Sequence, residues 1–159
     1  MENTPSGPFG PFVVPTEYWV ELTVDGEVID KGIRIRKDPR IDASDQDLRM
    51  QYYFSKKCYD AYHVLESYRN VIDAVNDPSS ALKQFRGNGA AGNPDTMYGS
   101  ITHTPADRET VVGLQHKFLF MMNLIQSADV MPTSQTQEGV KKLEATLKQM
   151  QERWKTLVK

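Results

Sequence analysis

Apolar and polar side chains follow two different periods in this chain, and the change comes near residue 44. Before it, Tyr18, Val20, Leu22 and Val24 alternate with more polar neighbours, which is the period of a β-strand with one buried face. After it, apolar residues recur every three or four positions, as on one side of an α-helix. The pattern predicts a short β part followed by a larger helical part.

The β part has the sequence of a hairpin. Asp25 and Gly26 are residues that tolerate the positive φ of a type I′ turn, and a second apolar strand follows over about residues 28–36. Gly32 within that strand predicts a bulge or a bend. A lone two-stranded hairpin is at best marginally stable in water. It must therefore pack on the rest of the chain, pair with a second copy, or belong to a sheet whose other strands lie elsewhere.

The first helix has clear start and stop signals. Ser44 and Asp47 have the spacing of a capping box, and apolar residues at helical spacing continue from there to about Asn76. Asp77-Pro78 then ends the helix, because proline removes a backbone donor and restricts the residue before it. These signals predict a helix of roughly 30 residues, near 45 Å long.

Three further helices are predicted. A short one is closed by Gly87, and the glycine- and asparagine-rich residues 87–103 form a long loop after it. A capping box over residues 104–107 begins the next helix, and a box formed by Ser134 and Gln137 begins the last. The last helix has apolar residues at alternating steps of three and four, which is typical of a coiled-coil-like seam: Val140, Leu143, Leu147, Met150, Trp154 and Leu157.

Long amphipathic helices with narrow apolar stripes can bury them only against each other. The predicted fold is therefore mainly α with a small β part: an N-terminal β-hairpin followed by an antiparallel bundle of three long helices, plus one short helix. The predicted organisation is an extended Pro/Gly-rich lead-in over residues 1–16, the hairpin over residues 17–40 and the bundle over residues 41–159.

Composition narrows the function classes. With 19 basic and 21 acidic side chains, the formal net charge is −2, whereas a nucleic-acid-binding protein needs a basic surface to meet phosphate. The single cysteine, Cys58, excludes an internal disulfide and a cysteine-rich zinc site. No apolar run approaches the roughly 20 residues of a membrane span, and the first residues lack a signal-peptide pattern. The chain is expected to bind no nucleic acid and to contain no membrane span.

Candidate chemistry is sparse. His63, His103 and His116 are far apart in the sequence and have no His-x-x-x-His or Glu-x-x-His partner, so we expect no metal site and no cofactor. Cys58 lies on the apolar side of the first helix, without a local base, and is expected to be a small buried residue. No catalytic residue is predicted.

The first long helix is rich in tyrosine. Such residues are more often part of a core, with hydroxyls at its rim, but aromatic rows also bind sugars. Tyr53 and Tyr68 lie off the main apolar stripe and are the candidates for a second contact surface. As an alternative function, a carbohydrate-binding module or small enzyme would bring Tyr53, Tyr68, Tyr98 and His103 together in one pocket.

One local pattern is more specific. The runs VPTEYWVELTVDG over residues 14–26 and IRIRKDPR over residues 33–40, followed by QSADVMPTSQ over residues 126–135, resemble the C-terminal region of bacterial BNR-repeat or sortilin (Vps10)-like β-propeller proteins associated with glycosyl hydrolases. The chain differs from that pattern in having Thr16 in place of a glycine and Lys31-Gly32 in place of Gln-Pro. The residues that carry the resemblance are Tyr18, Asp25, Gly26, Asp38, Pro39, Arg40, Asp129, Pro132, Thr133 and Trp154.

The resemblance implies a non-catalytic accessory or interaction module, because the propeller repeats that would carry sugar chemistry are not in this sequence. It implies that the hairpin is the closing pair of strands of an immunoglobulin-like or fibronectin-like sandwich, and that the chain is a C-terminal portion of a longer protein. The expected partners are upstream domains of that protein or a second copy of the chain. The resemblance alone suggests an extracytoplasmic location.

Overall fold

The computed structural model describes residues 10–88 and 105–158. Its elements are strands β1 (Glu17–Val24) and β2 (Glu27–Arg34), and helices α1 (Asp45–Asp73), α2 (Ser80–Arg86), α3 (Val111–Ile125) and α4 (Ser134–Leu157). This confirms the predicted fold of an N-terminal antiparallel hairpin followed by a bundle of three long helices and one short helix. None of the described helices is long and apolar enough to cross a bilayer.

Helix α1 begins as its sequence predicts. The Ser44 side chain accepts a hydrogen bond from the Asp47 amide, and the Asp47 carboxylate accepts one from the Ser44 amide, which satisfies two donors at the helix start. The helix ends at Asp73, three residues before the predicted end at Asn76. The predicted C-terminal glycine of α2 is confirmed, because Gly87 has φ 79° and its amide donates to the Lys83 carbonyl.

Two predicted helix starts are wrong. Helix α3 begins at Val111 with Thr110 as its N-cap, whereas Pro105 to Arg108 form a separate turn; Thr104 lies outside the described residues. The Arg153 guanidinium donates to the carbonyls of Ala106 and Glu109, so these carbonyls are directed to α4 rather than into a helical ladder.

Helix α4 begins at Ser134, the residue predicted as its cap, and so starts one residue earlier than predicted. Its N-cap is Thr133 rather than Ser134, and the Thr133 hydroxyl accepts from the Thr136 amide. The Gln137 side chain donates to the Pro132 carbonyl instead of closing a capping box with Ser134. Thr133 serves because it directly follows Pro132, has an extended backbone and carries an equally suitable hydroxyl.

Contacts between the helices establish an up-down-up bundle. Gln51 near the start of α1 reaches Ile125 at the end of α3, so these helices run antiparallel. Lys57 pairs with Glu144, and Tyr68 stacks on Trp154, so α1 and α4 run in the same direction.

The core lies between the three long helices and is closed at one end by α2. Its fully buried apolar residues come from every helix, and each such side chain contributes roughly 1.5–3 kcal/mol to stability. They include Cys58, Leu65, Ile72, Phe85, Val111, Leu114, Phe118, Val140 and Met150.

Candidate interaction surface

The hairpin is regular over its whole length. Val24 pairs with Glu27 across a two-residue turn, and the register continues without interruption to Glu17 opposite Arg34. Asp25 and Gly26 have φ values of 53° and 86°, which confirms the predicted type I′ geometry. The register has no bulge at Gly32, so the first of the two predicted alternatives there, a bulge or a bend, is wrong.

Gly32 provides room for an aromatic ring instead of a bulge. It pairs directly with Trp19, and a Cβ built at Gly32 would lie 3.8 Å from the Trp19 ring. The indole therefore covers the glycine backbone on one face of the hairpin, an arrangement that compensates for the missing side chain.

The register sorts the side chains onto two different faces. Because successive residues of a strand point to opposite sides, one face combines the even-numbered residues of β1 with the odd-numbered residues of β2. We call this side the apolar face; its members are Tyr18, Val20, Leu22, Val24, Glu27, Ile29, Lys31 and Ile33. The opposite side, the polar face, carries Glu17, Trp19, Glu21, Thr23, Val28, Asp30, Gly32 and Arg34.

The apolar face is exposed, so the hairpin does not bury it on the rest of the described chain, which was one of the three predicted alternatives. Leu22 and Ile29, which are opposite each other, are 56% and 58% exposed. In the described parts of the chain, each strand pairs only with the other. The alternation in the sequence does place the apolar side chains on one face. That face is contiguous and exposed.

Both edges of the hairpin are open. The Ile35 amide donates to the Thr16 carbonyl at 2.9 Å, which continues the register by one residue pair. Because hydrogen-bonded and non-hydrogen-bonded pairs alternate in an antiparallel ladder, the pairs with inward-directed backbone groups are 18·33, 20·31, 22·29 and 24·27. The outward-directed groups therefore belong to residues 17, 19, 21 and 23 on β1, and to residues 28, 30, 32 and 34 on β2.

Two hydrogen bonds tie the base of the hairpin to the segments on either side of it. The Tyr18 hydroxyl donates to the Val14 carbonyl at 2.6 Å, and the Lys37 ammonium donates to the Ala43 carbonyl at 2.7 Å. In the segment between Lys37 and Ala43, Arg40 binds Asp38 through its side chain and its amide. This contact lowers the pKa of the Asp38 carboxyl. The DPR sequence thus forms a compact corner between strand and helix.

The described part of the lead-in returns to the helices. The Phe12 amide donates to the Gln126 side chain at 2.5 Å, and Gly10 lies against the Tyr59 ring. Residues 10–14 therefore run along the bundle before the chain enters β1.

The tyrosines predicted as a ligand surface do not converge. Tyr53 is half exposed and contacts the Phe54 ring and the Lys57 ammonium. Tyr68 is packed on the core and stacked on Trp154, so its expected place off the apolar stripe is wrong. Fifteen residues of helix place the two about 22 Å apart. Tyr98 and His103 lie outside the described residues.

The other candidate groups fall in separate places. His63 is on the surface of α1, where its Nδ1 lies 2.8 Å from a Glu66 carboxylate oxygen. Within residues 10–88 and 105–158, no three His, Cys, Asp or Glu side chains come together as a metal site. Cys58 is buried, and its desolvation raises the pKa of the thiol to about 12.

The residues of the resemblance from Asp129 onward lie in the helical part of the chain. Thr133 is the N-cap of α4, Pro132 is buried beside it, and Asp129 is exposed in the preceding connection. Trp154 stacks with the Tyr68 and Phe85 rings, at centroid distances of 4.6 and 5.8 Å. These residues organise the helices and do not line the apolar face of the hairpin.

Two buried polar contacts were not predicted from the sequence. The Gln51 side chain donates to the carbonyls of Ile125 and Ala128 at 2.9 and 2.6 Å, which satisfies the end of α3. The buried Glu109 carboxylate pairs with Lys117. Glu109 lies just before the Thr110 N-cap of α3, so helical spacing does not predict its pairing with Lys117. No local signal identifies the partner of Gln51.

Comparisons of this chain with family models, with curated proteins and with solved structures find no match.

Proposed function

We propose that this chain is a non-catalytic interaction module that adds its hairpin to the β-sheet of a larger β-rich protein. The observation that carries the proposal is the exposed apolar face of the hairpin beside a bundle that buries its own core. An apolar face of contiguous side chains, with open edges on both sides, is a surface suited to another sheet.

Several features support docking over an independent role for the hairpin. A two-stranded hairpin gains little stability alone, whereas three or more strands with a covered face are stable. The hairpin is also held at its base by the Tyr18 and Lys37 hydrogen bonds. A partner that binds the hairpin therefore also brings the bundle, which continues the same chain, close to its own surface.

The partner in this proposal is an upstream β-rich domain of a BNR-repeat or sortilin (Vps10)-like protein. The similarity of residues 14–26 and 33–40 to that family supports this choice, because those residues form the hairpin and its corner. In such an arrangement the bundle is an accessory element, and any sugar chemistry belongs to the partner.

Complex formation tests the proposal. The chain would be mixed with the β-rich domain of such a protein, prepared without its own matching hairpin and helices, and the mass of the mixture measured by light scattering after size-exclusion chromatography. We expect a one-to-one complex. Leu22→Asp should abolish it, because Leu22 is on the apolar face.

Thr23→Asp is the matched control, since it adds the same charge to the neighbouring residue on the polar face. It should retain the complex, and both variants should keep the helical circular dichroism of the parent chain. Absence of a complex, or equal loss in both variants, would contradict the proposal.

A further inference from the structure

The two edges of the hairpin are not equivalent. On the apolar face, β1 presents an uninterrupted apolar row: Tyr18, Val20, Leu22 and Val24. On the same face, β2 carries Lys31 in its middle and Glu27 at its end. A lysine directed onto the apolar side of a strand is a device by which proteins block an edge, because a covering sheet would desolvate its charge.

The polar face adds a second asymmetry. Glu21 and Asp30 are directly opposite each other in a non-hydrogen-bonded pair, where side chains are closest and like charges destabilise. Neither carboxylate has an ion pair within residues 10–88 and 105–158. A cationic side chain on a strand beside β1 would lie next to Glu21 and relieve this repulsion.

Building on the proposed function, we infer that β1 is the docking edge, and that its partner is a β-strand with apolar residues on one face and lysine or arginine on the other. β2 then remains the outer edge of the completed sheet. The apolar side of the partner strand extends the row formed by Tyr18 to Val24, and its cationic side meets Glu17 and Glu21.

A second copy of the chain fits this surface less well. Antiparallel pairing of two β1 strands would place Trp19, Glu17 or a second Glu21 opposite Glu21 in its central registers, and β1 contains no cation. A basic strand of another sheet supplies the missing positive charge.

A peptide experiment tests the edge and the charge together. The probe is a short synthetic peptide that alternates valine and lysine, and the control probe alternates valine and glutamate. Hydrogen exchange of the intact chain is followed at single residues by NMR. The valine–lysine peptide should slow exchange of the Trp19, Glu21 and Thr23 amides by at least about tenfold, and those of Val28, Asp30 and Gly32 much less.

Glu21→Pro and Asp30→Pro form a matched pair of variants. They are opposite each other, and each removes one outward-directed amide without removing a hydrogen bond inside the hairpin. We expect Glu21→Pro to abolish the protection on β1, whereas Asp30→Pro, which removes only the opposite carboxylate and an amide of β2, should retain most of it. Any general damage to the hairpin by proline would affect both variants equally.

The outcomes separate this inference from the proposed function. Protection of the β2 amides instead of β1 would overturn the choice of edge while leaving sheet addition intact. Equal effects of the two peptides would overturn the basic partner. If neither edge is protected by either peptide, the proposed sheet addition itself fails. Concentration-dependent protection without peptide would assign the edge to a second copy and likewise overturn the inference.

Discussion

Trp154 of α4 lies flat against Tyr68 of α1, with ring centroids 4.6 Å apart and ring planes 19° from parallel. Phe85 of α2 also stacks on the indole, with ring centroids 5.8 Å apart, and the Arg153 guanidinium lies 5.1 Å from the Phe85 ring centre. One side chain thus joins three helices at the end of the bundle away from the hairpin.

This stack predicts a large effect of Trp154→Ala. Loss of the indole leaves Tyr68 and Phe85 without a shared neighbour, and the free energy of unfolding should fall by about 3 kcal/mol. Urea unfolding followed by circular dichroism measures it. The chain has two tryptophans, so Trp19→Ala on the hairpin is the control and should change stability by less than about 0.5 kcal/mol. Equal effects of the two changes would contradict the assignment of Trp154 to the core.

Gln51 should be sensitive to a change of one atom. In Gln51→Glu, the side chain can no longer donate to the Ile125 and Ala128 carbonyls and adds a buried charge. We expect a loss of at least about 2 kcal/mol at pH 7, smaller at acidic pH where the new carboxyl is neutral. The exposed Gln46→Glu on the same helix should have almost no effect. A neutral result for Gln51→Glu would mean that α3 does not depend on these hydrogen bonds.

The contact between Asp73 and Arg86 should make the free energy of unfolding depend on pH in the acidic range. Hydrogen bonding to Arg86 lowers the pKa of the Asp73 carboxyl. A lowered folded-state pKa stabilises the protein above the ordinary carboxyl pKa of about 3.9, and this stabilisation is lost as pH falls through the lower folded-state value. In Arg86→Gln, the free energy of unfolding should therefore decline less between pH 5 and pH 2.

Lys83→Gln is the charge-matched control for that measurement, because Lys83 is on the same helix and pairs with Asp77 instead. It should leave the acid-dependent loss due to Asp73 in place. The interpretation fails if Arg86→Gln and Lys83→Gln change the pH dependence equally.

Cys58 should be chemically silent in the native protein. Its burial raises the thiol pKa to about 12, so very little reactive thiolate exists at pH 8. Labelling with a disulfide reagent should therefore proceed only through unfolding, and its rate should increase with urea. The chain contains a single cysteine, so all labelling can be assigned to Cys58 without a variant. Rapid stoichiometric labelling without denaturant would disprove the burial of this thiol.

The fold could be predicted because its determinants are local and repeated. Each element is specified by a signal within its own sequence. These signals are the alternation in β1, the Asp25-Gly26 turn, the Ser44–Asp47 box and the apolar stripes of the helices. The misplaced start of α3 has a non-local cause, and the misplaced start of α4 results from two nearly equivalent N-cap residues. Arg153 reaches the carbonyl of Glu109 from 44 residues away, and Thr133 can cap as well as Ser134.

The surface features were harder to predict. The alternation around Leu22 identifies an apolar face but contains no information on what covers it, so the pattern could not decide among the three predicted alternatives for the hairpin. The position of Tyr68 depends on where α4 crosses α1, which the sequence of α1 does not specify. In the sequence, Gln51 does not differ from the other polar residues of α1. Its role comes from the hydrogen bond of its side chain to the Ile125 carbonyl, which only the structure shows.

Residue-resolved hydrogen exchange of the chain alone, at several protein concentrations, tests the central claim most directly. An exposed hairpin beside a self-contained bundle predicts rapid exchange of the outward amides of Trp19, Glu21 and Thr23 at every concentration. It also predicts that core amides such as those of Leu65 and Phe118 exchange only through global unfolding. Outward hairpin amides as strongly protected as the core in a monomer would mean that the hairpin is already covered, and would contradict the account.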